Sequence, residues 1–472
     1  MRILGINFSI DAAAALVRDG VIVAAAAEER FSRQKHDGRF PEQAIDFCLR
    51  HGGLSFDDVD AVAFFWNPGV HAETFQGRQS SGIRHHMEYL YSVPNHLLRR
   101  LDGRGVRQLD QVLHLDDGRR LTVHYLEHHL CHAASALYLS PFDEAALLTV
   151  DGYGERTATQ IWHGRDRMIE PLWRQEFPHS LGSFYAAFTQ YLGFKPNSGE
   201  GKVMGLASYG GDSLVSAIDS MIRLTDTGFE LDLSYFAFFQ PRRRRYSEKL
   251  VALLGPERHP REVPTQRQMD VAYAAQKALE KTMIHLARIA RERTGSKNLA
   301  VAGGVALNCV ANGRLLEDRA FERFFFVPAA GDAGAALGAA LYVGHGLHGQ
   351  PRAAPPNHDY HGPEYTSEQV EATLKRAGLR YVRLDDPSRH AASALAAGRI
   401  IGWFQGRMEL GPRALGNRSI LADPRPAGMK DLLNARVKFR EPFRPFAPAV
   451  LAEACGDYFS RAEASPYMLR VY

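Results

Sequence analysis

The opening of the chain alternates short apolar runs with polar turns: Arg2 to Phe8, Ala13 to Val17, the pair Asp19-Gly20, then Val21 to Ala27. A DG pair between apolar runs predicts a tight hairpin, because both residues tolerate the positive φ that such a turn needs. Pro41 then opens a helix with Ala44, Ile45, Phe47, Cys48 and Leu49 on its apolar side, and a buried strand follows in DAVAFFW. From Ala145 the same order returns: LLTVDGYG, TATQIWHG, a turn at Gly164 to Asp166, MIEPLWRQEF, and a helix from Ser180 through Tyr191. Each copy sets an aspartate in the turn after its first strand, Asp11 and Asp151. The pattern predicts an α/β protein in which one strand, hairpin and helix unit is written twice.

A long amphipathic helix from Gln268 to Arg293 carries Val271, Ala275, Leu279, Met283, Leu286 and Ala290 at helical spacing and feeds the strand LAVAGG. Gly303-Gly304 lets the backbone approach a ligand before Asn308 and Asn312 open the next helix. Paired glycines often make no more than a tight turn, but GDAGAALGAAL follows, and its small residues permit close helix contact. Together they favour a purine and ribose site. The doubling resembles the actin-like ATPase superfamily, in which two ribonuclease-H-like lobes clasp a nucleotide between their first hairpins. The lobes are expected at about 1–140 and 141–345, a Gly-, Pro- and His-rich linker at 346–365, and a second domain at 366–472.

The composition adds boundaries rather than an activity. At 472 residues, 45% hydrophobic and 23% charged, the chain can bury more than one core. A formal charge of +4 is small for this length, which argues for local anion pockets and against a nucleic-acid-coating surface. Cys48, Cys131, Cys309 and Cys455 are scattered without a CxxC pair, the start MRILGINF carries no signal segment, and no apolar run reaches membrane-spanning length. A cytoplasmic protein with no nucleic-acid and no membrane partner is expected.

Candidate chemistry concentrates at two places. In EHHLCHAASAL, His128 and His132 stand four apart, so on a helix both imidazoles share one face and can reach a single divalent cation, with Asp151 and Asp332 closing its coordination from other turns. The alternative is a buried helix face whose histidines bond to backbone. Downstream, Arg407, Arg413, Arg418, Arg425, Lys438, Arg440 and Arg444 are interleaved with Gly, Pro, Trp403, Phe443 and Phe446. Cations among apolar neighbours fit a partly dry pocket for two phosphate anions, although pairing with Asp423, Asp431 and Glu441 would account for some of them. The run Arg242 to Arg245 reads as a solvated loop, and His345, His348, His358 and His361 as linker residues.

MRILGINF with AEERFSRQKH, EHHLCHAASAL, SLGSFYAAFTQYLGF with GKVMGLASYG, VAGGVALN, and GRMELGPRALGNRSILADPR with VKFREPFRPFAPAVL together resemble the O-carbamoyltransferase family, which includes the tobramycin, cephalosporin and nodulation-factor carbamoyltransferases. The resemblance runs over nearly the whole chain. It implies an N-terminal domain similar to the tRNA threonylcarbamoyl transferase, followed by a YrdC-like domain. The latter would convert ATP, as its Mg(II) complex, and carbamoyl phosphate into carbamoyl adenylate. The former would pass the carbamoyl group to the hydroxyl of a natural-product acceptor of antibiotic type. It further implies Fe(II) or another divalent cation at His128, His132, Asp151 and Asp332, adenosine contacts from Gly303, Gly304 and Asn308, and Lys35 near a phosphate. Asn197, Gly201 and Lys202 would border the acceptor channel, with Lys202 paired to Glu200 or Glu28 as the structural alternative. A homodimer stays open.

The chain departs from the family pattern in two places. Ile10 stands where relatives carry a histidine, with Ala13 two residues after Asp11 where they carry serine, so proton removal from the acceptor is expected to fall to Asp11 or His36. The chain stops at SPYMLRVY where relatives continue, so the YrdC-like domain is expected to be incomplete. A tRNA threonylcarbamoyl transferase and a non-catalytic nucleotide sensor or scaffold are the competing readings. Acceptor contacts are expected around Asn67 to Arg107 and Asp226 to Pro264.

Overall fold

The computed structural model describes residues 1–68, 97, 108–240, 243–461 and 463–472. Most of the first expected acceptor segment, and Arg242, therefore lie outside the described residues. Strands β1 (Arg2–Asn7), β2 (Ala13–Arg18) and β3 (Val21–Ala27) form an antiparallel meander, as the DG hairpin requires. With β4 (Ala61–Phe64), β5 (Gln108–His114) and β6 (Arg120–Leu126) they build a six-stranded sheet of order β3-β2-β1-β4-β6-β5, in which β4 runs parallel to both β1 and β6.

The second lobe repeats this plan. Its meander is β7 (Glu144–Val150), β8 (Thr157–Arg165) and β9 (Met168–Glu176). A separate hairpin, β10 (Ile222–Thr225) with β11 (Gly228–Leu231), lies outside the main sheet. Strands β12 (Asn298–Ala302) and β13 (Arg323–Phe326) then add in parallel beside β7, giving the order β13-β12-β7-β8-β9. In both sheets the first strand of a meander pairs in parallel with a strand that arrives after a helix, which is the duplicated ribonuclease-H-like plan. β7 is buried on both faces over Ala145–Val150, which its unbroken apolar run dictates.

The lobes meet through helices. The helix Asp332–Leu341 crosses the helix His128–Tyr138 so closely that a Cβ on Gly338 would lie 2.0 Å from the Cys131 carbonyl oxygen. This contact brings the start of each helix, and hence His128 and Asp332, to the same cleft.

The chain after the lobes is laid over them. Arg352 donates to the carbonyls of Leu137 and Phe142, both at 2.9 Å, closing the free C-terminal end of the His128–Tyr138 helix. His361 accepts from the Ala25 N–H at 3.0 Å, on β3. The expected linker is thus a strap bonded to both lobes. Beyond it, the helices Ser367–Arg376 and Pro387–Ala396 bury no residue, and among the described residues β14 (Ile401–Phe404) pairs only with β15 (Arg418–Leu421). The last residues return to the second lobe, where the Asn312 Nδ2 donates to the Leu469 carbonyl at 2.9 Å. Among the described residues no helix is long and apolar enough to cross a membrane.

Candidate functional site

The sequence begins the His128–Tyr138 helix at His128, so His128 and His132 project one turn apart from a helix whose every residue is buried. Their Nε2 atoms are 3.1 Å apart. The Asp151 Oδ2 lies 3.0 Å from the His132 Nε2 and 3.6 Å from that of His128. The Asp332 Oδ1 lies 3.7 Å from His128 Nε2 and 3.9 Å from His132 Nε2. All four ligand atoms fall within 4.8 Å of one another. Donors about 2.1 Å from a common ion stand roughly 3.0–3.5 Å apart, so this set is close to what a transition-metal dication would draw together.

The electrostatics agree with a cation site. Burial lowers the His128 imidazole, but the Asp151 hydrogen bond and the Asp332 charge outweigh it and push it up to about 9. Burial likewise opposes ionisation of Asp151, yet the bonds to His128 and His132 hold its carboxyl well below the usual carboxylate range. Asp332 moves upward, driven first by burial and then by the Asp151 charge. Two carboxylates sharing one buried place gain most from a shared dication. The second carboxylate oxygens are also engaged: Ser9 Oγ donates to Asp332 Oδ2 at 2.6 Å, and the Gly152 N–H donates to Asp151 Oδ1 at 2.6 Å.

The glycine loop borders this cluster. Gly303 adopts φ +92°, a conformation that an L side chain resists, and the Gly304 N–H donates to Asp151 Oδ2 at 3.2 Å. Asn308 caps the next helix through the Ala311 N–H and exchanges hydrogen bonds with Gln276, whose Oε1 also accepts from the Tyr185 hydroxyl. Its amide is thereby committed to the protein. On the first hairpin, the His36 Nδ1 lies 2.8 Å from the Asp11 Oδ1, while its Nε2 is buried without a hydrogen-bond partner among the described residues.

Several of the predicted cations feel one another's charge, and the segment that carries them meets Arg30 of the first lobe and Lys202 of the second. Lys438 is pulled down by burial and by the charges of Arg440, Arg418 and Lys35, and Arg30 by burial and Arg418. Arg440 feels burial and Arg444, while Arg444 feels burial and Arg413, partly offset by Glu441. Carboxylates stand among them: Glu29 lies 2.7 Å from Arg30, Glu409 4.0 Å from Arg418, and Glu441 3.8 Å from Arg444. A Cβ on Gly411, two residues before Arg413, would stand 3.1 Å from the Ala329 Cα, and the next residue, Ala330, accepts from the Gly303 N–H at 2.8 Å, so this end of the cation-bearing segment adjoins the glycine loop.

The family profile described as carbamoyltransferase N-terminus matches residues 2–341, and that of the carbamoyltransferase C-terminus matches residues 392–472. The chain belongs to the carbamoyltransferase family. Membership makes it a transferase. It is 44% identical to the Synechocystis protein sll1178 over 100% of this chain and 79% of the relative. It is 38% identical to nodulation protein NolNO of Sinorhizobium fredii over 96% of this chain, and spans 64% of that longer protein. Among solved structures, full-length HypF in its phosphate- and nucleotide-bound form aligns with a TM-score of 0.38 at 14% identity, over 75% of this chain and 56% of that one.

Several residues of this carbamoyltransferase stand apart from their expected surroundings. Lys202 pairs with neither Glu200 nor Glu28; its Nζ bonds Glu441 at 2.6 Å, tying the Glu200–Ala207 helix to the C-terminal region. Glu28 instead accepts from the Ala44 N–H at 2.8 Å, and Glu200 from the Asn197 N–H at 2.8 Å. Gly201 opens onto free space. Arg407 lies outside the cation cluster and donates to the carbonyls of Val23 and Gly362, each at 3.1 Å. Arg425 is an exposed partner of Asp423 at 2.7 Å. The sequence reading missed Ser9, Glu155, and Asn7, whose Nδ2 donates to the Asp11 and Asp332 carbonyls at 2.8 and 2.7 Å. Only their polarity within apolar turns could have marked them.

Proposed function

We propose that the protein is an ATP-dependent O-carbamoyltransferase acting on the hydroxyl of a small-molecule acceptor. The observation that carries this reading is the convergence of His128, His132, Asp151 and Asp332 beside the Gly303-Gly304 loop, with the cluster of arginines and lysines nearby. In overall balance, carbamoyl phosphate, ATP and one water give carbamoyl adenylate, pyrophosphate and phosphate. The acceptor oxygen then bonds to the carbamoyl carbon, AMP leaves, and the hydroxyl proton passes to a base.

Lys35, Arg413, Arg418, Lys438, Arg440 and Arg444 would hold the anions of ATP and carbamoyl phosphate side by side, offsetting their mutual repulsion. The metal dication, with Fe(II) the family expectation, would be held by the His2Asp2 set and would supply Lewis-acid polarisation of the transferred carbonyl. Gly303 and Gly304 would let the adenosine approach the backbone, and Asn308 would shape that loop as a helix cap. Asp11 would keep the proton of His36 on Nδ1, leaving the Nε2 lone pair to take the acceptor proton in place of a histidine at position 10.

An aromatic run leads away from the metal ligands. Trp66 lies 5.6 Å from the His128 ring and 6.3 Å from Tyr153, which continues through Phe177 and Phe238 to Phe239 in steps of 5.2–5.9 Å. Tyr153 and Phe239 are exposed, which suits an acceptor with an apolar ring face. Pyrophosphate release that requires carbamoyl phosphate, followed by acceptor-dependent AMP release, is the test. Folded, metal-loaded protein that yields no pyrophosphate would favour a nucleotide sensor. Tight, steeply salt-dependent tRNA binding would favour threonylcarbamoyl transfer.

A further inference from the structure

Imidazoles that bind a metal through Nε2 are ordinarily aimed by a hydrogen bond from Nδ1 to a carboxylate or carbonyl. Here the Nδ1 atoms of His128 and His132 are both buried and have no hydrogen-bond partner among the described residues. The rings are therefore placed by packing, as of Phe65 and Trp66 against His128 at 5.4 and 5.6 Å, and by the backbone that carries them. His132 lies a full turn inside its helix, where the hydrogen-bond ladder fixes it. His128 is the first helical residue, at the end where N–H groups lack intrahelical partners, and the N-cap Glu127 makes no side-chain cap bond.

One carboxylate fills that gap. Glu155, only 2% exposed, accepts from the His128 N–H at 3.0 Å through Oε1 and at 3.2 Å through Oε2. The same Oε1 accepts from the Asn67 N–H at 2.7 Å, just beyond β4 in the first lobe. A carboxylate at this place also meets the positive end of the helix dipole. Gly154 brings it close: a Cβ there would stand 3.0 Å from the His128 Cβ and 3.1 Å from the His129 Cδ2. The turn that supplies Asp151 as a ligand thus also grips the helix end that supplies His128.

We infer that Glu155 is a positioning residue that fixes His128 relative to Asp151 across the two lobes. The assignment rests on the metal centre proposed above. It concerns the free-energy cost of assembling that centre, so metal binding itself reports on it.

The experiment uses Co(II), whose visible absorption reads ligand geometry, on metal-free wild type, Glu155→Ala, Glu155→Gln and Gly154→Ala. Glutamine keeps an oxygen where the His128 N–H needs one. Glu155→Ala should weaken Co(II) binding roughly 10- to 100-fold and shift the visible band. Glu155→Gln should restore both close to wild type, and Gly154→Ala should move them in the same direction as Glu155→Ala. Wild-type affinity and spectrum in Glu155→Ala, or a Glu155→Gln protein as defective as Glu155→Ala, would overturn the assignment while leaving the centre standing. No Co(II) binding by wild type would remove the centre and the assignment together.

Discussion

His128, His132, Asp151 and Asp332 stand on elements with closed cores, whereas Arg413, Arg418, Lys438, Arg440 and Arg444 belong to a region whose helices Ser367–Arg376 and Pro387–Ala396 bury nothing. A buried Leu or Ile contributes about 1.5–3 kcal/mol, and the lobes contain dozens of such side chains, so their backbone has little freedom around the metal ligands. The cation-bearing segment is held instead by individual side-chain bonds, such as Arg440 to Asn434 at 2.7 Å and Glu441 to Lys202 at 2.6 Å. A coordination sphere fails if a donor moves by a fraction of an ångström. Attraction between several guanidiniums and a phosphate tolerates such movement. The rigid part of the molecule carries the site that needs rigidity.

The contrast can be broken most sharply at the helix. His132→Ala should lower metal affinity by at least about 100-fold and abolish carbamoyl transfer, yet spare pyrophosphate release; metal content by elemental analysis checks the first claim. Unchanged metal content would dissolve the distinction between the two sites. Arg418→Ala should have the opposite profile. It loses a charge-assisted contact worth about 1.5–3 kcal/mol, so the carbamoyl phosphate concentration for half-maximal pyrophosphate release should rise roughly 10-fold or more, with metal content untouched.

Arg407→Ala should act on stability rather than on substrates. Its guanidinium bonds to backbone carbonyls of β3 and the strap, and their loss should cost about 2 kcal/mol in chemical denaturation, whereas Arg425→Ala at the exposed Asp423 pair should leave the melting temperature unchanged. An equal effect of the two variants would mean that the strap does not hold. The half-exposed Lys202–Glu441 bridge should give a coupling of about 1 kcal/mol or less in a Lys202→Met and Glu441→Gln cycle.

A further effect is one of pH. Burial, aided by the charges of His358 and Arg407, lowers the His361 imidazole from 6.5 to about 3. Between those values the unfolded chain binds a proton that the folded chain refuses. Stability therefore falls as pH drops from 6.5 toward 3, and is fully present above 6.5. His361→Gln should flatten the denaturation midpoint between pH 7 and pH 5 relative to wild type, and an identical slope in the two proteins would exclude this histidine.

The duplicated lobes were legible because apolar runs and the turn residues Asp19-Gly20 and Gly164–Asp166 encode strand order directly. The four candidate ligand positions could be grouped in advance for a similar reason: four-residue spacing on a helix is a geometric constraint, and an aspartate in each of two turns needs only the fold to bring it in. Contacts made at long range left no such trace. Arg407, bonded to carbonyls, carries the same Gly and apolar neighbours as Arg418, so local sequence does not separate a strap from an anion ligand. Lys202 has two carboxylates nearby in the sequence or in the first hairpin, yet its partner lies 239 residues away, at Glu441. Glu155 acts on a backbone N–H, a partner with no side-chain signature at all.

Crystals grown with Fe(II) and measured on both sides of the iron absorption edge test the central claim most directly. The account predicts one anomalous peak per chain, within about 2.0–2.3 Å of the Nε2 atoms of His128 and His132 and of a carboxylate oxygen from each of Asp151 and Asp332. Fully reduced, iron-saturated crystals with no peak between these four residues would contradict it.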